Sequence, residues 1–455
     1  MRRKTVLFWG LLVTALAATH MVQAQSLTDA MVAAYRNSDA LKGARAALRG
    51  TDELRAQAYS AKRLQVDLSA SSTATYREMG ASTTYVSTLA LSAGLVLWDG
   101  GATDLAIRAA DANIAAARAN LLDLEQSVLL SAVTTFMDMR RDAQFLQLAE
   151  NNRSVIARQV QAAHDRFEVG DIRRTDVSQA EARLAAALSM VALRQGTLEI
   201  SREAYFVATG TYPGVLKPPP PIPGIPATLA EARAVALELH PVIARAKHVV
   251  RASELNALRA EAAMKPKLSL SGQAAVTDNA LTGNTASLTL GGSMPLNHGG
   301  ALISAVRQAR ALAGQSRFDL QRAGLVVTQN VTRFWAQLRI ARASITARQK
   351  EVRASRVALR GIREEANLGA RTTLDVLDAE RALVEAQTNL VSAKRDEFVA
   401  VYSLLSAMGL LTVKHLQLGI ETYEPVVHYN KVKKAPGPSD RAKLLQKIFK
   451  RAGRN

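Results

Sequence analysis

The chain has 455 residues, 48% of them hydrophobic but only 5% aromatic, with no cysteine and a formal net charge of +19. This length exceeds what a single hydrophobic core usually serves, so two units or an elongated shape are expected. The lack of cysteine excludes disulfide scaffolds, thiol chemistry and a lipid-anchored N-terminus, and the abundance of Ala with Leu, Glu, Gln and Arg favours helix.

Residues 1–24 read as a secretory signal peptide. Arg2, Arg3 and Lys4 form its basic region, an apolar run follows from Val6 to Ala18, and Val22-Gln23-Ala24 supplies the cleavage site. The mature chain then starts at Gln25, with a net charge of +16. The apolar run is too short to span a bilayer comfortably, and no other segment approaches 18 consecutive apolar residues. Any membrane crossing must therefore use strands.

A first unit covers residues 25–212. Leu27, Met31, Ala34, Leu41, Ala44 and Leu48 recur at three- and four-residue steps, predicting helix from Ser26 to Arg63 with an interruption at Asn37-Ser38-Asp39. The period then changes to two. Val66, Leu68, Ala70, Ala74 and Tyr76 alternate with Asp67, Ser69, Ser71, Thr73 and Thr75, and a second alternating segment runs from Tyr85 to Leu97. Trp98-Asp99-Gly100-Gly101 opens a helix from Ala102 to Phe167, roughly 100 Å long at 1.5 Å per residue. Val169-Gly170-Asp171 forms a tip, and a return helix runs from Thr175 to Thr209 with Leu184, Ala187, Val191 and Leu198 on its apolar stripe.

Residues 213–226 hold seven of the thirteen prolines and read as an extended linker. The second unit, 227–411, restates the first. It has helix from Leu229, a break at His240-Pro241, helix to Met264, alternating segments at Leu268–Val276 and Ala286–Met294, and the turn Asn297-His298-Gly299-Gly300. A helix from Ala301 to Glu365, the tip Leu368-Gly369-Ala370 and a return helix from Thr373 to Met408 follow. Gly100, Gly101, Phe136, Gly170, Glu181 and Gly210 recur at one constant offset as Gly299, Gly300, Trp335, Gly369, Glu380 and Gly409. A single offset without insertions predicts two continuous helical hairpins of equal reach.

Residues 412–455 read as a basic, flexible tail, with nine Lys or Arg from Lys431 to Arg454 against the single Asp440. Acidic lipid or nucleic acid could be its partner, but export favours a solvated tail. The four alternating segments have the length and one-sided polarity of membrane-spanning strands, although a two-hairpin sheet in a soluble domain has the same pattern. Four strands cannot close a barrel, and an open edge cannot sit in lipid, so the membrane reading requires an oligomer.

With these features in place, the chain resembles the TolC-like outer-membrane channel proteins. The likeness runs from Ser26 to Leu411 and is carried by Gly369-Ala370-Arg371-Thr372-Thr373-Leu374-Asp375-Val376-Leu377-Asp378-Ala379-Glu380, by Val169-Gly170 with Thr175-Asp176-Val177, and by the two Gly-Gly turns. The resemblance implies a mainly helical chain with membrane strands. Three copies would form a twelve-stranded β-barrel, continued into the periplasm by a helical barrel of coiled-coil hairpins.

It further implies that Asp375 and Asp378 form a cation-selective constriction, while Arg371 links to the region of Thr175 and Asp176 and keeps the entrance closed. Val169, Gly170, Leu368 and Gly369 would dock a periplasmic adaptor (a membrane fusion protein) joined to an inner-membrane pump of RND or ABC type. The family often carries an aromatic residue where this chain has Ala366, which removes one expected bond to the Asp176 region.

The implied function is an exit duct for tripartite efflux or type I secretion, with a homotrimer in outer-membrane lipid and no nucleic acid, cofactor or metal. The alternative is a soluble periplasmic coiled-coil scaffold or adaptor, which would carry one hairpin flanked by small β domains. An enzyme finds little support: the seven His are scattered, and no Gly-rich loop matches a phosphate cradle.

Overall fold

The computed structural model describes residues 25–77, 82–278 and 283–434, together with Lys447. The signal segment, the centres of both strand turns and nearly all of 435–455 lie outside the described residues. Helices α1 (Leu27–Asn37) and α2 (Asp39–Ser60) lead into strands β1 (Gln65–Arg77) and β2 (Ser82–Trp98), then α3 (Ala102–Glu168) and α4 (Arg174–Thr209). The second half gives α5 (Leu229–Leu239), α6 (Pro241–Ala262), β3 (Lys267–Thr277), β4 (Thr285–Ser293), α7 (Ala301–Asn367) and α8 (Thr373–Ala407), with a short α9 (Pro425–Val432) beyond.

Both long helices have 67 residues. The leading pairs also match, at 11 and 22 residues, but Leu229 opens α5 three positions later than the offset from Leu27 of α1 requires. The second strand hairpin absorbs this difference: β1 and β2 have 13 and 17 residues, whereas β3 and β4 have 11 and 9. Strand length is thus less uniform than the alternation predicts.

The four strands form one antiparallel sheet in the order β1-β2-β3-β4. Register keeps the apolar row continuous across it, with Leu68 opposite Leu91, Leu91 opposite Ala274 and Ala274 opposite Ala286. On the other face Asp67, Ser92, Gln273 and Ser287 line up in the same way. A one-residue slip would mix the two faces, so the alternation itself fixes the pairing. A bulge between Val96 and Trp98 breaks this parity and sets Trp98 opposite Leu268 on the apolar face. Trp98 is half-exposed there, at the base of the sheet.

The Gly-Gly turns carry the chain from strand to helix. Gly100, Gly101, Gly299 and Gly300 all have positive φ. Asp99 Oδ1 accepts the Gly101 amide at 3.1 Å, and Asn297 Oδ1 accepts the Gly299 amide at 2.9 Å. At Gly100 a Cβ would lie 2.6 Å from Lys265 Cβ. The turn is therefore packed against the end of α6 as well as bent.

The main core lies at mid-height, where α1, α5 and the last turns of α4 and α8 pack on the middles of α3 and α7. Phe136, Leu129, Val331, Leu404 and Met408 are fully buried there. Each break in the leading helices is capped from its own side chain: Ser38 Oγ accepts the Leu41 amide at 3.3 Å, and His240 Nδ1 accepts the Val242 amide at 3.1 Å. Burial pushes the His240 imidazole below its ordinary pKa, in keeping with this acceptor role. The repeat glycines Gly210 and Gly409 end α4 and α8 against these breaks, where their Cβ atoms would meet Asn37 Cβ at 2.7 Å and His240 Cα at 2.8 Å.

Two segments expected to be loose are anchored. Gln25 donates its amide to the Val215 carbonyl and accepts from the Lys217 amide, both at 2.9 Å, so the Pro-rich linker holds the start of the described chain. Tyr205 donates to Gln25 Oε1 at 3.0 Å, and burial raises its phenol pKa to about 12. Residues 412–434, expected as part of a flexible tail, are packed instead. The Val413 amide reaches buried Glu125 at 2.8 Å, and Leu411, Val413 and Leu418 join the main core.

Gly409→Ala should destabilise more than Gly170→Ala. Both substitutions force a left-handed backbone, at roughly 1–2 kcal/mol, but only Gly409 faces backbone within 3 Å. The added overpacking should cost about a further 1–3 kcal/mol. Urea unfolding followed by circular dichroism in detergent measures this; equal losses would show that the close approach is not felt.

Candidate functional site at the hairpin tips

Both long helices end in the same hydrogen-bonded motif. At the first tip the Gly170 amide donates to Phe167 O and the Asp171 amide to Arg166 O; at the second, Gly369 donates to Ala366 O and Ala370 to Glu365 O. These paired bonds satisfy the last carbonyls, and φ values of 76° and 74° explain why Gly stands at 170 and 369. Val169 and Leu368 precede these glycines and are 80% and 85% exposed. Each tip therefore presents one large aliphatic side chain to solvent.

The return helices start differently. Thr372 and Asp375 form a full capping box: Asp375 Oδ2 accepts the Thr372 amide at 2.9 Å and its hydroxyl at 2.8 Å, and Thr372 Oγ1 accepts the Asp375 amide at 3.2 Å. Bonds from the Thr372 amide and then its hydroxyl hold the Asp375 carboxyl below its ordinary pKa. The first tip has Arg173 at the matching position, which offers no side-chain acceptor. Only Asp176 acts there, accepting the Arg173 amide at 3.1 Å.

Arg371 Nε donates to Glu365 Oε2 at 2.8 Å, across its own tip. Within the single chain Arg371 is not bonded to Thr175 or Asp176; Thr175 is exposed and Asp176 serves its helix end. Ala366 is half-buried and contributes only its carbonyl to the Gly369 turn. Asp378 is placed otherwise: Arg183 Nη2 on α4 donates to its Oδ1 at 2.8 Å, linking the two hairpins of one chain.

Glu380 is the deepest acid near the tips, 5% exposed. It accepts from Gln159 Nε2 on α3 at 2.9 Å and from Arg363 Nη2 on α7, so one carboxylate ties three helices together. The first repeat answers Arg363 and Glu380 with His164 and Glu181, whose Nε2 and Oε1 are 3.2 Å apart. A cation and an acid at the same two repeat positions could have been read from the sequence. Arg183 could not, because Ala382 stands at its repeat position. Beneath these pairs Val160, Ala163, Val177, Ala180 and Leu377 form a small separate core.

The sequence profile of the outer membrane efflux proteins matches residues 31–211 and 233–410, one stretch on each repeat. The chain belongs to the outer membrane efflux protein family. Outer membrane efflux protein BepC of Brucella suis is 35% identical over 439 residues, covering 94% of both chains. Outer membrane protein TolC of Escherichia coli is 24% identical over 319 residues, covering 64% of this chain and 63% of that protein. The crystal structure of the Campylobacter jejuni CmeC outer membrane channel shares the fold with a TM-score of 0.74 at 16% identity, over 91% of this chain and 90% of that one. The protein is thus an outer-membrane efflux or secretion channel whose helices extend into the periplasm.

The Asp375 cap should be acid-sensitive. Its folded pKa lies below the ordinary carboxylate value, so its stabilisation is complete above about pH 4 and is lost as pH falls through the lowered pKa. Hydrogen exchange of amides 373–376, corrected for intrinsic rate, should lose protection below about pH 4. Asp375→Asn should remove that pH dependence; a wild-type profile in the variant would mean that another group holds the helix end.

Proposed function

We propose that three copies of the chain assemble into a passive duct whose periplasmic entrance is gated at the second-repeat tips. The carrying observation is the sheet itself: among the described residues β1 and β4 each have an unpaired edge, and one of the sheet's two exposed faces is apolar. Such edges are tolerated in lipid only if other strands pair with them. Three chains of four strands give a closed, even-numbered antiparallel barrel.

Features of the helices support the same closure. Leu193, Ile200 and Val207 on α4 are exposed at seven-residue spacing, as are Phe318 and Leu325 on α7. These seams have no partner among the described residues, and a neighbouring copy would supply one of coiled-coil type. Two 67-residue helices per chain would carry the tunnel roughly 100 Å from the barrel.

At the entrance, Asp375 and Asp378 lie three residues apart on α8 and on one helix face. Threefold symmetry would bring six carboxylates around the axis, favouring cations and binding multivalent ones. Opening would exchange bonds already present in the tip: Arg371 leaves or takes Glu365, and Asp378 leaves or takes Arg183. Val169-Gly170 and Leu368-Gly369 would meet a periplasmic adaptor, and through it an inner-membrane pump that selects and energises the cargo. No catalytic role is assigned to the chain.

Two measurements test the gate. Replacing both Asp375 and Asp378 by Asn should raise the multivalent-cation concentration that blocks single-channel current by about an order of magnitude or more; unchanged block removes them from the constriction. Arg371→Ser should raise conductance, whereas Glu365→Gln, which frees the guanidinium for a neighbouring hairpin, should lower it or leave the channel closed. If both variants behave alike, Arg371 is not the switch.

A further inference from the structure

A small cavity of about 180 Å³ lies where α1, α2 and α3 meet the segment that follows α8. Tyr35, Arg45, Arg118, Glu125 and Tyr423 form its polar lining. The remaining wall is apolar, from Leu41, Leu121, Leu122 and Pro425. Leu41 and Leu121 are buried, whereas Leu122 is 45% exposed and stands at the rim.

Aromatic rings hold the two arginines by their flat faces. The Arg45 guanidinium lies 4.7 Å from the Tyr35 ring and 5.5 Å from the Tyr423 ring, and that of Arg118 lies 4.8 Å from the Tyr429 ring. The segment carrying Tyr423 and Tyr429 is itself fixed. The Tyr423 amide donates to the Tyr35 hydroxyl at 3.1 Å, and the Tyr429 hydroxyl donates to Asp111 at 2.9 Å. Contact through a ring occupies the face of a guanidinium and leaves its edge, which carries every N–H donor, for another group.

That other group is not found among the described residues. Arg45 Nε, Arg118 Nε and Nη2 and the Tyr423 hydroxyl are buried there without a hydrogen-bond partner. The neighbouring acids are engaged elsewhere. Asp52 Oδ1 is 3.8 Å from Arg118 Nη2, beyond hydrogen-bond reach, while its Oδ2 lies 2.9 Å from His428 Nδ1. Glu125 Oε1 accepts the Val413 amide at 2.8 Å, and burial raises the Glu125 pKa, which weakens it as a counter-ion. Two guanidinium groups thus border the cavity with one hindered acid between them. Buried donors on a charged group are costly to leave unpaired, and an anionic acceptor satisfies them best.

We propose that this cavity binds a small organic carboxylate, with its oxygens between Arg45 and Arg118 and its hydrocarbon part against Leu41 and Leu121. Guanidinium edges match carboxylate and phosphate alike. The leucine wall decides between them, because an inorganic ion would leave water against it, whereas an organic acid covers both sides of the cavity. The volume admits an acid about the size of benzoate. Bound there, it joins α2, α3 and the segment after α8 through Arg45, Arg118 and Tyr423.

The test uses full-length protein in nonionic detergent, titrated with para-fluorobenzoate and followed by fluorine NMR. Saturable line broadening is expected, and Arg45→Gln or Arg118→Gln should weaken binding at least about ten-fold. Photolysis of the wild-type protein with para-azidobenzoate needs no variant to fold, and should label the peptides carrying Leu121 and Tyr423.

Absence of saturable broadening would overturn the proposal, since water alone then fills the cavity. Equal binding of para-fluorobenzyl alcohol would reduce the site to an apolar hole. Full displacement by inorganic phosphate at matched ionic strength would reduce it to a general anion patch. Photolabel confined to other peptides would place the ligand elsewhere, and each of these three results also overturns the assignment.

Discussion

A sheet with one apolar face and two unpaired edges cannot rest in lipid as a single chain. Each strand backbone group must find a partner where water is absent, and every open edge carries a row of groups that have none. The arrangement β1-β2-β3-β4 leaves two such rows, so closure by further copies is a condition of the fold. Closure in turn constrains the helices. A ring built from chains with two hairpins meets a flat partner only if both hairpins have the same length. The shared count of 67 residues in α3 and α7 fits that demand, while the strand hairpins, at the opposite end from such a partner, differ in length without consequence.

Within that common frame the two repeats diverge where chemistry is needed. Both tips use the same glycine turn and expose one aliphatic side chain, as the docking role proposed for them would require. The acids differ. Glu181 faces His164 in a half-exposed pair, whereas Glu380 is buried under Arg363 and Gln159. Breaking a buried pair by removing one partner is far more costly than losing an exposed one. The second hairpin is therefore the better braced of the two just above the residues proposed to gate, and its tip can rearrange without loosening the helices behind it.

Much of this was legible in the sequence because long-range order here is locally written. The switch from a helical period to a period of two, the Gly-Gly turns and the tip glycines each appear in short windows, and the constant offset between the repeats lines those windows up. What was not legible depends on distant partners. Nothing near Tyr423, His428 or Tyr429 announces that they meet Tyr35, Asp52 and Asp111 in the first quarter of the chain, so a docked segment read as a loose one. The bulge at Val96 and Trp98 escaped for a related reason: it is defined by the opposing strand, and in isolation Leu97 simply continues the alternation. Arg183 was hidden by the repeat itself, since matching positions draw attention and Ala382 offers no match.

If the second tip gates the entrance as proposed, its bonds allow that entrance to be both held and released. The helix ends are secured by backbone bonds and by the Thr372–Asp375 cap, which remain intact if the hairpins move as rigid bodies. The bonds open to exchange are ion pairs between exposed side chains: Arg371 with Glu365, and Arg183 with Asp378. Exposed pairs contribute little net stability because water and salt compete for both charges. Exchanging one such partner for another costs correspondingly little, so the closed arrangement can be specific in geometry yet shallow in energy. Breaking the Glu380 triad would cost much more, which places the hinge of any tip movement below that residue, in the turn between Arg363 and Glu380. A docked partner acting only on Leu368 and Gly369 would thus push on the one part of the hairpin that yields.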